Sequence, residues 1–91
     1  PLQNEQIQIL KGQIGETQKQ LTGIQSEMAT LRREITALKE QPLDGSASGR
    51  KRQNRLDALE DGITRKNQEL FKFVGVLNNQ RGELGKLRAG S

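Results

Sequence analysis

The chain has no Cys, no His, no Trp, no Tyr and only two Phe. Without Cys it can form no disulfide and offers no thiolate to a metal, and nothing in it marks a redox compartment or a cellular location. Without His or Cys it lacks the usual nucleophiles, general bases and metal ligands. Its carboxylates alternate with basic residues, and its glycines follow no phosphate-loop spacing. We therefore expect a protein that is not an enzyme, with no cofactor, no metal and no small-molecule substrate. No apolar run approaches the ~20 residues of a membrane span, and no signal-peptide pattern precedes the first polar residues. Aromatic scarcity has a further consequence. With 91 residues, 31% hydrophobic and 29% charged, a single chain is short of the bulk for its own core, so it is either disordered or helical with burial gained from a partner. It opens in mid-pattern on Pro1 with no initiator Met, as expected of a piece of a longer protein in which Pro1 and Ala89-Gly90-Ser91 are cloning scars.

Periodicity decides between disorder and helix. From Ile7 the apolar residues step by three and four. Ile7, Ile14, Leu21, Met28 and Ile35 fall at heptad position a, and Leu10, Thr17, Ile24, Leu31 and Leu38 at d. The outward positions are mostly Gln, Glu, Lys, Arg, Ser and Thr. A stripe this narrow specifies a coiled coil, because a helix of a globular domain needs a wider apolar face. Residues 42–49, PLDGSASG, break the helix through Pro42 and a flexible Gly/Ser/Ala run. A second heptad run follows, with Leu56, Ile63, Leu70, Leu77 and Leu84 at a and Leu59, Lys66, Phe73, Gln80 and Leu87 at d. It is the weaker half, since Gly62, Gly75, Gly82 and Gly85 each cost about 1 kcal/mol of helix propensity relative to Ala. The predicted organisation is a heptad helix over 1–41, a loop over 42–49 and a second heptad helix with a basic start over 50–91.

Ile35 and Leu56 lie a whole number of heptads apart, so the second seam keeps the phase of the first. The fold expected first is all-α, a two-segment parallel coiled coil of identical chains interrupted by the loop, with a trimer ahead of a dimer. In a parallel pair, a residue at g faces the e position five residues later on its neighbour. Glu27 then meets Arg32, Glu34 meets Lys39, Arg55 meets Glu60 and Glu83 meets Arg88, with no like-charged g/e pair. The stretch RLDALE, Arg55 to Glu60, resembles a general trimerisation pattern of parallel coiled coils, Arg-apolar-x-x-apolar-Glu, shared by unrelated proteins. Its arginine stem would cover the seam while the guanidinium reaches a neighbour's carboxylate. Ile at a and Leu at d speak instead for a dimer, and an ordinary salt bridge accounts for the same six residues.

The alternative is an antiparallel helical hairpin assembling into a bundle. It pairs a with d as well: Leu38 with Leu56, Ile35 with Leu59, Leu31 with Ile63, Ile24 with Leu70 and Ile7 with Leu87. Its edge charges are mixed. Glu34 would reach Arg55, and Arg32 and Lys39 would reach Glu60, but Lys11 would face Arg81 or Arg88, and Glu27 would face Glu69.

Two local features complete the reading. Phe71, Phe73, Val74, Val76 and Leu77 widen the apolar face, which reads as a thicker packing patch and not as a membrane anchor. The cluster Arg50-Lys51-Arg52-Gln53-Asn54-Arg55 supplies much of the excess base in a chain of net charge +4. It is too short for a groove-binding basic region and carries no interleaved aromatics, so it reads as a solvated loop end ahead of a nucleic-acid contact. The expected function is a structural oligomerisation and spacer module of a larger protein, such as a fibre, stalk or spike of viral, phage or extracellular origin, with the chain itself as partner. The alternatives are an intracellular scaffold or regulatory coiled coil and, behind it, a basic-region nucleic-acid binder.

Overall fold

The computed structural model describes residues 2–42 and 45–90, without the side chains of Ser46 and Ala47; Pro1, Leu43, Asp44 and Ser91 lie outside the described residues. Two helices account for nearly all of it, α1 over Leu2–Glu40 and α2 over Ser46–Ala89. Among the described residues there is no strand. The molecule measures 70 × 14 × 14 Å, close to the length of α2 alone at about 1.5 Å per residue. The helices lie side by side. Gln3 meets Leu87, Thr17 meets Gln80, Glu27 meets Lys66 and Glu34 meets Arg55, so α2 numbers fall as α1 numbers rise. That is the antiparallel sense.

Within one chain, then, the two segments do not follow one another along a single interrupted rod, which was the arrangement expected first. The physical reason sits in the turn. Gln41 N donates to Leu38 O at 3.3 Å, a tightened last turn that closes α1. Pro42 brings no N–H and disfavours helix at the residue before it. Gly45 then takes φ 92°, the only positive φ among the described residues, a conformation that any side chain would resist. A connection of only residues 41–45 gives antiparallel neighbours in helical bundles. Helix α2 begins at Ser46, inside the stretch that composition marks as loop, because the Ser46–Gly49 run is compatible with helix once Gly45 has turned the chain. Lys39 in the last turn of α1, and Lys86 and Arg88 in that of α2, complement the helix dipoles.

The core is one seam. Its buried apolar members are Leu10, Ile24 and Met28 from α1 and Leu56, Leu59 and Leu77 from α2, and among the described residues no large side chain is fully enclosed. The other apolar a and d residues of both helices are half-buried. Helix α2 runs unbroken through Gly62, Gly75, Gly82 and Gly85, so packing overrides their propensity cost. A methyl group at Gly82 or Gly85 would meet nothing within 4 Å, and one at Gly62 would touch Leu31 Cδ1 at 3.6 Å, an ordinary contact.

These sites give opposite expectations for one chemical change. Gly82→Ala and Gly85→Ala should each stabilise the hairpin by about 0.5–1 kcal/mol in urea unfolding, whereas Gly45→Ala should destabilise it by about 1 kcal/mol or more, because only there is the backbone left-handed. Equal effects at all three sites would contradict the assigned turn.

The interhelical seam as candidate functional site

All twenty a and d residues named from the heptads are turned away from solvent to some degree. Leu10, Thr17, Ile24, Met28, Leu56, Leu59 and Leu77 are buried. Ile7, Ile14, Leu21, Leu31, Ile35, Leu38, Ile63, Leu70, Phe73, Gln80, Leu84 and Leu87 are half-buried. Within this chain they face the other helix. Lys66, the remaining d position, is half-buried too.

Two polar layers interrupt the seam. Thr17, 6% exposed, is the one buried polar residue among those described. Its Oγ1 lies 3.0 Å from Gln13 O and 2.8 Å from Gln80 Oε1. One hydroxyl proton cannot serve both acceptors. Exchanging the Gln80 amide oxygen and nitrogen resolves the conflict, since Gln80 N–H then donates to Thr17 while Thr17 donates to Gln13 O. Thr17 and Gln80, both polar residues at d, are thus each other's partners across the two helices.

The second layer is ionic. Lys66 Nζ lies 2.5 Å from Glu27 and 3.3 Å from Glu69. Glu27 and Glu69 do face one another across the helices, and Lys66 sits between them. The hydrogen bond to Glu27 raises the Lys66 pKa above its ordinary 10.5, that to Glu69 adds to the rise, and burial opposes it. Sequence reasoning missed this role, placing Lys66 at d without a partner. The signal was there, in a lysine at d beside two glutamates at g.

The residues named for interchain ion pairs divide. Glu34 holds Arg55 at 3.5 Å, and Glu27 holds Lys66, both within the chain. Arg32, Lys39 and Glu60 are exposed and make no ion pair with another described residue, and Glu83 and Arg88 are exposed as well. Other exposed pairs, Lys19 with Glu16 and Arg65 with Asp61, lie along single helices and contribute only about 0.3–0.5 kcal/mol each.

Outside the seam, an apolar groove of about 500 Å³ lies at the open end, between Ile9 and Leu10 of α1 and Leu87 of α2. Ile9, Leu2 and Phe71 are 62%, 68% and 69% exposed. Of the cluster around Phe71, Leu77 is buried, Phe73 half-buried, and Val74 and Val76 exposed. Arg52 is half-buried, while Arg50 and Lys51 are exposed near the start of α2. Among the described residues no group of three or more His, Cys, Asp or Glu converges, and no helix is long and apolar enough to cross a membrane. Compared with known proteins, the chain matches no family model, no curated sequence and no solved structure.

Both polar layers can be probed. Thr17→Val or Gln80→Leu alone leaves a seam polar group without its partner and should cost about 1 kcal/mol in urea unfolding, while the double variant should recover most of that loss. Additive losses would mean the two side chains do not interact. For Lys66, a raised folded pKa contributes stability that is complete below pH 10.5 and fades as pH rises through the folded value. Melting temperature should therefore fall more steeply above pH 10.5 for the unaltered chain than for Lys66→Met. Parallel curves would show that the bridge to Glu27 and Glu69 does not contribute.

Proposed function

We propose that this chain is a structural oligomerisation module of a larger protein, an arm that joins identical chains in an assembly such as a fibre, stalk or spike. The observation that carries this reading is the thinness of the core. Among the described residues, the two-helix layer buries six apolar side chains, leaves Leu2, Ile9 and Phe71 more than half exposed and encloses no large side chain. Helices with such faces gain stability by adding a further layer, as in four-helix and larger bundles. The hairpin gives the module a particular geometry. Its two described ends, at Leu2 and Gly90, lie at the same end of a 70 Å arm, with the turn at the other. An arm of this kind projects its turn away from whatever the ends are joined to, which suits a protruding element better than an end-to-end spacer.

Sedimentation equilibrium over a hundredfold concentration range, with circular dichroism at each concentration, tests the reading. The expected outcome is a mass that rises from 10.2 kDa to an integral multiple, with helicity rising alongside. A helical species that stays at the monomer mass throughout would remove self-association from the account and leave an arm that works alone.

A further inference from the structure

Antiparallel pairing places the two edges of the seam on opposite sides of the hairpin, with e positions facing e and g facing g. The g edge is identified by its own contacts, Glu34 to Arg55 and Glu27 through Lys66 to Glu69. It also carries Glu83. The opposite, e edge carries Lys11, Arg32 and Lys39 from α1 and Glu60, Arg81 and Arg88 from α2. So the g edge is predominantly acidic and the e edge predominantly basic. Within one hairpin this arrangement is poor. Lys11 lies in register with Arg81 and Arg88, and Lys11 and Arg81 find no acidic partner among the described residues.

The same edges are complementary between copies. We infer that hairpins of this chain stack in parallel, the e edge of one copy seated on the g edge of the next, so that α1 lies beside α1 and α2 beside α2. This rests on the self-association proposed above and specifies its mode. In that stack like helices of neighbouring copies run parallel with g beside e, so each g residue has the e residues two places earlier and five places later in its neighbour within side-chain reach. Glu27 then meets Arg32, Glu34 meets Lys39, Arg55 meets Glu60 and Glu83 meets Arg88. Near the turn the Glu34–Arg55 pair of one copy lies on Lys39 and Glu60 of the next, four charges of alternating sign. The remaining contacts five places later join Gln6 to Lys11, Gln13 to Gln18, Gln20 to Gln25, Gly62 to Asn67, Glu69 to Val74 and Val76 to Arg81, which separate Lys11 from Arg81 and set no like charges together. The stack also covers exposed apolar groups on both sides, Phe71 and Val74 toward the e edge and Ile9 and Val76 toward the g edge. A twofold dimer does the reverse. It sets e on e, or g on g, and so brings together the lysines and arginines or the glutamates. The contact is therefore heterologous, and repeating it makes a ring or an open filament.

The absence of native Cys allows a direct test. Gln20 and Gln25 are exposed and lie clear of the ion pairs. A chain carrying both Gln20→Cys and Gln25→Cys cannot bridge them internally, because residues five apart point to different sides of one helix. Mild oxidation should convert the double variant into a ladder of covalent multimers, or one closed ring size, while each single variant stays uncrosslinked. Dimers from Gln20→Cys alone or Gln25→Cys alone would establish a twofold contact and overturn the stack. The stack also fails if the double variant gives no crosslink while sedimentation still shows association, since other faces would then carry the assembly. A chain monomeric in sedimentation and uncrosslinked would end both the stack and the self-association reading. As a second readout, Arg32→Glu with Lys39→Glu leaves the Glu34–Arg55 and Glu27–Lys66 pairs in place. It should weaken association by about tenfold, the scale of several exposed ion pairs reversed. Unchanged association at unchanged helicity would count against the stack.

Discussion

Scarcity of apolar bulk governs this molecule. With two Phe, no Trp and no Tyr, its apolar side chains suffice for one line of contact and no more. Long helices are the way such a chain can use them. Each helix satisfies its own backbone hydrogen bonds and asks of its neighbour only that one stripe be covered. The seam results, and the turn, the polar layers and the edge charges all act by deciding which stripe covers which. Lacking bulk, the hairpin is thin, and a thin hairpin has two sides still open.

Direction is the decision with the widest consequences. Parallel pairing between chains sets g against e, and this sequence is neutral or attractive at every such contact. Antiparallel pairing within the chain sets like edges together, and there the charges conflict. Lys66 answers the conflict at Glu27 and Glu69, and Arg55 gives Glu34 a partner at the same edge. At Lys11 and Arg81 nothing comparable is found among the described residues. The connection enforces the antiparallel course regardless, because closing so short a loop costs little chain entropy compared with bringing in a second molecule. Edge charges that conflict at Lys11 and Arg81 within the molecule, and set no like pair between parallel copies, are what a chain would carry if its seam were closed internally and its edges were used in assembly.

How much of this was legible in the sequence follows from what a repeat encodes. The spacing from Ile7 to Leu38 and from Leu56 to Leu87 names the seam residues, because a helical period singles out one face whatever lies opposite. It does not name the partner. The whole number of heptads between Ile35 and Leu56 matches a rod, and the a-with-d pairing matches a hairpin equally well. The deciding residues were Pro42 and Gly45. Pro42 reads as a break in either fold, and the left-handed turn at Gly45 cannot be told from flexibility by composition. The cross-helix partners of Lys66 and Thr17 were hidden for the same reason, since assigning them requires the direction first. The edges proposed for self-association are legible as charge pattern alone, in the g and e residues.

The polar layers fix what the apolar residues leave undetermined. Leucines and isoleucines at a and d are nearly interchangeable, so sliding α2 by one heptad along α1 would still pair apolar with apolar over most of the seam. The polar residues are not interchangeable. A slip of seven would set Thr17 against Phe73 or Leu87 in place of Gln80, and would offer Lys66 the edge residue Gln20 or Glu34 in place of Glu27. Thr17 would keep its bond to Gln13 O, but Gln80 would lie in the seam with no partner, at a cost of about 1–3 kcal/mol. Apolar residues therefore supply the attraction, while Thr17, Gln80 and Lys66 make one register better than its neighbours. A fixed register also fixes which e and g residues lie level across the hairpin, and only with those levels fixed does each edge present an ordered row of charges to a second copy.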